Sequence, residues 1–160
     1  MKIYDKNREK YIKKIEEKGF KICELCNPEN LKKQECKNLK GKYWKVLVNK
    51  YPYLDGNVMV ISTRHNTFKI EDIKKEEWAE LHDIIKNTQK ILAKIFNTKS
   101  FNVGINIGKE AGASLDHMHW QIIPRGKGTP NSADILADLH SIKISPQDLK
   151  KKIEKTKQRC

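Results

Sequence analysis

Long hydrophobic runs are missing from this sequence. No stretch approaches the roughly 20 apolar residues of a helical membrane span. A secretory signal is missing too, because the first twenty residues, MKIYDKNREKYIKKIEEKGF, are charged throughout. The expected compartment is therefore the cytoplasm, with no membrane partner. Acidic residues are in deficit: 20 Asp and Glu stand against 33 Lys and Arg, a net charge of +13. Cysteine is scarce, at four residues, Cys23, Cys26, Cys36 and Cys160. Without an export signal these do not read as a disulfide framework, and a Cys-x-x-Cys pair instead suggests metal or redox chemistry. Internal repeats and low-complexity linkers are also absent.

What remains is enough for one globular domain. The 160 residues match the roughly 100–150 of an ordinary domain, and 38% of them are hydrophobic. The excess of positive charge attracts polyanions such as nucleotides, phosphorylated metabolites or nucleic acid. Lysine is spread along the whole chain, so the surplus does not choose among them. The Lys150-Lys151-Lys152 run reads as a solvated helix face rather than a nucleic-acid site.

Hydrophobic periodicity divides the chain. Residues 2–18 suggest a short amphipathic helix, followed by a knuckle at 21–28 and a polar, loop-like stretch at 30–41. Residues 43–48 and 58–62 read as strands, and the second is apolar enough to be buried on both faces. Between them lies turn chemistry at Leu54-Asp55-Gly56-Asn57. From 74 to 96 the spacing is helical, with Trp78, Leu81, Ile84, Ile85, Ile91, Leu92 and Ile95 on one face. Residues 101–107 and 117–123 alternate as further strands, and a basic helix opens at Pro146. The fold class is α+β with a mostly antiparallel sheet. A single domain over 1–160 is expected, its core at about 20–125 and a basic tail from 126.

The chemistry concentrates in the segment 106–125, NIGKEAGASLDHMHWQIIPR. Residues two apart on a strand face the same way, so His117, His119 and Gln121 form a polar row. Met118, Trp120 and Ile122 face oppositely, and Trp78 is expected in the core. A Gly/Ala/Ser loop precedes the row, and bare backbone N–H groups of such a loop can approach a phosphate closely. Cys23-x-x-Cys26 supplies half of a zinc site, with Cys36 as a spare thiol.

These residues resemble the signature of the histidine-triad superfamily. That signature is His-x-His-x-His, preceded by Asn-x-Gly-x-x-Ala-Gly and followed by Ile-Pro-Arg. Here Gln121 replaces the third His, as in the branch that includes galactose-1-phosphate uridylyltransferase and the diadenosine tetraphosphate phosphorylases. The block from Asn49-Lys50-Tyr51-Pro52 to Ser62-Thr63-Arg64-His65 resembles a second family stretch. It departs at Asn57, where many members have His, and at Ser62, where many have Pro. Gly126 departs as well, standing where close relatives often have Trp.

The resemblance implies that His119 is a nucleophile forming a covalent nucleotidyl-histidine. It implies nucleotide contacts from Asn49, Asn106, Gly112, Ala113, Ser114 and Gln121. It also implies a structural Zn2+ on Cys23, Cys26, His65 and His117, since four protein donors leave no open position. A neutral amide cannot donate a proton to a poor leaving group as a third His could. Gln121 therefore favours exchange between phosphate-type groups. The expected activity is nucleotidyl transfer or phosphorolysis on nucleoside polyphosphates or nucleotide sugars, with phosphate or a sugar phosphate as acceptor. A histidine-triad hydrolase is the first alternative; a non-catalytic nucleotide- or RNA-binding zinc module is the second. A homodimer is expected, since the short members that the chain resembles pair up.

Overall fold

The computed structural model describes residues 23–65, 69–113, 115–126 and 144–156. The expected helix at 2–18, together with Ser114, His140 and Cys160, lies outside them. Each described helix begins where the sequence supplies a cap. Helix α1 (Pro28–Gln34) starts after Asn27, whose Oδ1 accepts from Glu29 N at 2.9 Å and Asn30 N at 3.3 Å. Helix α2 (Lys75–Phe96) starts with the Lys74 N–H held by Glu77 Oε2 at 2.9 Å and ends at Asn97 in the left-handed region. Helix α3 (Pro146–Lys155) opens with Ser145 as cap and Pro146 in its first turn.

Five strands, β1 (Glu35–Lys40), β2 (Trp44–Val48), β3 (Val58–Ser62), β4 (Ser100–Ile105) and β5 (His119–Arg125), form one sheet in the order β1-β2-β3-β5-β4. Every pairing is antiparallel, which bears out the α+β class. Strand β3, central and buried along its whole length, bears out the reading of its apolar run. The register sets the two faces. Val46, Val48, Val58, Val60 and Ile122 face α2 and α3, where Leu81, Ile91, Leu92, Leu149 and Ile153 complete the main core. Leu47, Met59 and Ile61 face the other way and pack with Leu25 in a second, smaller cluster. His119 pairs with Ile61, and Gln121 with Met59, so both emerge on this second face.

Three sequence readings are corrected. The stretch 30–41 is no loop but the end of α1 and the whole of β1. Its two buried residues, Cys36 and Leu39, are three apart because the register slips within the strand, so the period-two signal is lost. The last strand starts at His119, leaving His117 in the bend before it, and it runs through Pro124 to Arg125. Trp78 is 38% exposed rather than core; its ring meets Trp120 edge-on, centroids 6.0 Å apart.

Two local devices hold the frame. Glu80 on α2 accepts from three successive backbone N–H groups in the β1–β2 turn: Lys42 at 3.0 Å, Tyr43 at 2.8 Å and Trp44 at 3.0 Å. Gly56 has φ +83°, and an added Cβ would run into Pro124 and Phe96. The turn between β2 and β3 is thereby pressed against the ends of β5 and α2. Replacing Glu80 with Ala should cost about 1–3 kcal/mol, the usual result of orphaning such donors. Urea denaturation checks this, and Glu80→Gln, which keeps an acceptor oxygen, should lose less.

Candidate functional site

Strand β5 carries His119 into the middle of the sheet, between β3 and β4. The ring is 8% exposed. Its Nδ1 lies 2.8 Å from the backbone oxygen of His117. A carbonyl can only accept, so Nδ1 carries the hydrogen, and Nε2 keeps its lone pair. Burial lowers the pKa of His119 below the usual imidazole value, opposed by the bond to the His117 carbonyl. The bond to the His117 carbonyl fixes the tautomer that attack through Nε2 would require, and burial disfavours the charged ring.

Gln121 follows on the same face. Its Oε1 accepts from Asn57 Nδ2 at 2.8 Å. Asn57 is fully buried, and its Oδ1 accepts from Asn49 Nδ2 at 2.9 Å. Asn49 in turn accepts from Tyr51 N at 2.9 Å. The side chain of Asn49, expected among the nucleotide contacts, is thus joined to Asn57 and the turn. Asn57 is the residue that sequence reasoning did not place in the site. Its signal was there, as one of three positions where the chain departs from the resembling pattern, just before an apolar strand.

The small-residue loop forms a single turn at Lys109–Ala111, flanked by Gly108 and Gly112 with φ +88° and +85°. The N–H groups of Gly112 and Ala113 bond to Lys109 O and Gly108 O at 3.0 and 3.1 Å. These two donors, expected to face a phosphate, are engaged inside the loop. Asn106 lies beside Gly112, its Nδ2 3.4 Å from where a Cβ would stand.

A second constellation lies next to His119. One ligand atom from each of Cys23, Cys26, His65 and His117 falls within 4.8 Å of the others. His117 Nδ1 lies 3.4 Å from both thiol sulfurs, and His65 Nδ1 lies 3.4 Å from Cys26 Sγ. Tetrahedral zinc, with its ordinary S and N bond lengths, would set S···N edges of about 3.6 Å. The donor set fits such an ion. The backbone and side chains around the group brace it. Cys26 N bonds to Cys23 O at 3.0 Å. His117 Nε2 donates to Ser62 O at 2.8 Å, which turns Nδ1 toward the thiols. Arg64, next to His65, is fixed by Glu77 at 2.7 and 2.9 Å. Burial, with Cys26 alongside, pushes the Cys23 thiol up to about 11; a bound dication would reverse that. Cys36 is not part of this group: it is buried in the main core, and burial raises its thiol to about 12. The group can hold a metal ion.

The HIT domain family matches residues 33–128. AP-4-A phosphorylase of Mycobacterium tuberculosis is 33% identical over 112 residues, which is 69% of this chain and 55% of that protein. The asymmetrical bis(5'-nucleosyl)-tetraphosphatase of Schizosaccharomyces pombe is 33% identical over 89 residues, 56% of this chain and 48% of that one. The chain thus spans about half the length of these two relatives. In fold, it is similar to a GalT-like protein of Arabidopsis thaliana, with a TM-score of 0.72 and 17% identity over 94% of this chain and 50% of that one. By that match over residues 33–128, this chain belongs to the HIT domain family.

Proposed function

We propose that this chain transfers a nucleotidyl group from a dinucleoside polyphosphate or a nucleotide sugar to phosphate or a sugar phosphate. The observation that carries the reading is the geometry of His119: buried and hydrogen-bonded through Nδ1 to the His117 carbonyl, which leaves the lone pair on Nε2. Nε2 attacks the α-phosphorus, and the phosphoanhydride P–O bond breaks with its electron pair on the departing phosphate oxygen. The ring becomes cationic, and the His117 carbonyl stays against its Nδ1–H. An anionic oxygen of the acceptor then attacks phosphorus, the P–N bond breaks, and the pair returns to Nε2. The Gln121 amide donates to a non-bridging oxygen as charge builds. Asn106, with Gly112, Ala113 and Ser114 of the small-residue loop, is assigned to the nucleotide; Asn49 acts behind Gln121.

A phosphorylase among the relatives supports this reading. A hydrolase among them keeps water open as a competing acceptor. No described helix is long and apolar enough to cross a membrane. The ion proposed at Cys23, Cys26, His65 and His117 is Zn2+, because two thiols and two imidazoles match its preferences. Its role is structural, since it would tie the Cys knuckle to the residue whose carbonyl orients His119.

A second copy of the chain is the proposed macromolecular partner. Strand β4 is a sheet edge, and Val103 and Ile107 are exposed on or beside it, as is Trp78 nearby.

Incubation with α-labelled diadenosine tetraphosphate should leave acid-labile label on the protein. His119→Ala should abolish the label and lower turnover by at least about 10³-fold. Product formation should require added phosphate or sugar phosphate; turnover that is indifferent to both would overturn transfer in favour of hydrolysis. Metal analysis should find about one zinc per chain, and Cys23→Ser should lose it. Full retention of metal in that variant refutes the ligand set. Light scattering should give twice the chain mass, and Val103→Lys should shift it toward one chain; a native monomer sinks the pairing.

A further inference from the structure

The Gln121 amide has only one orientation compatible with its neighbours, and that orientation originates in backbone donors two side chains away. The Tyr51 N–H can only donate, so the Asn49 atom that meets it, at 2.9 Å, is an oxygen. Asn49 therefore turns its nitrogen to Asn57, at 2.9 Å. The Tyr53 N–H donates to the same Asn57 oxygen at 3.2 Å. Asn57 is consequently left with its nitrogen facing Val58 O at 3.3 Å and Gln121 at 2.8 Å. The Gln121 atom in that contact must be its carbonyl oxygen. Turning any one of these amides over would place two donors or two acceptors face to face in a buried site, at a cost of about 1–3 kcal/mol.

We propose that Asn57, backed by Asn49, is a positioning residue that holds Gln121 with its carbonyl turned inward, so that the amide offers the reacting phosphate N–H donors only. The proposal rests on the transfer reading above and adds what selects the acceptor. An anionic phosphate oxygen needs a donor, and Gln121 Nε2 supplies one. Water attacking phosphorus must lose a proton, and an acceptor that could orient it would be a carbonyl oxygen. The carbonyl of Gln121 is turned inward, toward Asn57, and so away from that water. The buried amide pair thus favours a phosphate-type acceptor over water without touching either.

Asn57→Asp reverses the last link. Its first oxygen can keep the bonds to Asn49 and Tyr53, while its second loses the bond to Val58 O and accepts from Gln121 where Asn57 donated. Gln121 must then turn its nitrogen inward and its oxygen toward the substrate. With diadenosine tetraphosphate and fixed phosphate, the ratio of hydrolytic to phosphorolytic product should rise by about tenfold, a change of about 1.4 kcal/mol. In a Gln121→Ala background, the same substitution should leave the ratio unmoved. A merely structural role would lower both products together and act alike in both backgrounds, and either result overturns the proposal. The unmodified protein supplies a measurement that needs no substrate and survives a misfolded variant. In side-chain amide spectra, the Asn57 pair should exchange with water at least about a hundredfold more slowly than the Gln121 pair, because among the described residues only the former is buried with partners for both hydrogens. Equal protection of the two refutes the orientation. A native enzyme indifferent to phosphate would instead refute the transfer reading, and the exchange rates would still decide the orientation.

Discussion

The hydrogen bond from His119 Nδ1 to the His117 carbonyl is the contact on which the rest depends. It joins two residues only two apart, yet it fixes the tautomer of a buried ring and leaves one nitrogen free. The residue that supplies the carbonyl is itself held at both ring nitrogens. Its Nε2 is tied to Ser62 at the end of β3, and its Nδ1 faces the thiols of the Cys knuckle. A backbone oxygen on a bend would ordinarily wander by more than a reacting atom tolerates. Here it is clamped by a central strand on one side and by the metal-ligand group on the other.

The two faces of the sheet divide the labour. The face toward α2 and α3 carries the larger cluster and most of the buried hydrocarbon. The opposite face carries the small cluster of Leu25, Leu47, Met59 and Ile61, with His119 and Gln121 beside it. A small cluster leaves these two side chains near the surface while β3 and β5 remain pinned from behind. Polar groups on that face are satisfied by one another: the Asn49–Asn57–Gln121 chain replaces hydration with amide-to-amide bonds.

Much of this was legible in the sequence, because β2, β3, α2 and α3 carry strong local signals. Trp44 to Val48 and Val58 to Ser62 are apolar and β-branched, α2 has a clear helical stripe, and Pro146 marks a helix start. Of the four metal-binding candidates, Cys23 and Cys26 were legible as a Cys-x-x-Cys pair, but His65 and His117 only through resemblance, since Cys23 and His117 are 94 positions apart and no local pattern connects them. Strand β1 escaped because its irregular register hides the alternation. The position of Trp78 escaped because periodicity gives the direction of a side chain on its helix, not what lies opposite. Hydrogen-bond polarity escaped as well: which end of the Gln121 amide meets Asn57 depends on backbone donors at Tyr51 and Tyr53, and these are invisible until the turn is folded.

Gly56 has a reach beyond its own turn. Pro124 and Phe96 close over its bare Cα, so the end of the last strand and the end of the long helix bear directly on the segment that carries Asn49 and Asn57. Phe96 thus bears on the turn that precedes Asn57, although it belongs to the end of α2. A change at the aromatic end of a helix can therefore reach the Asn49–Asn57–Gln121 chain through the turn at Gly56.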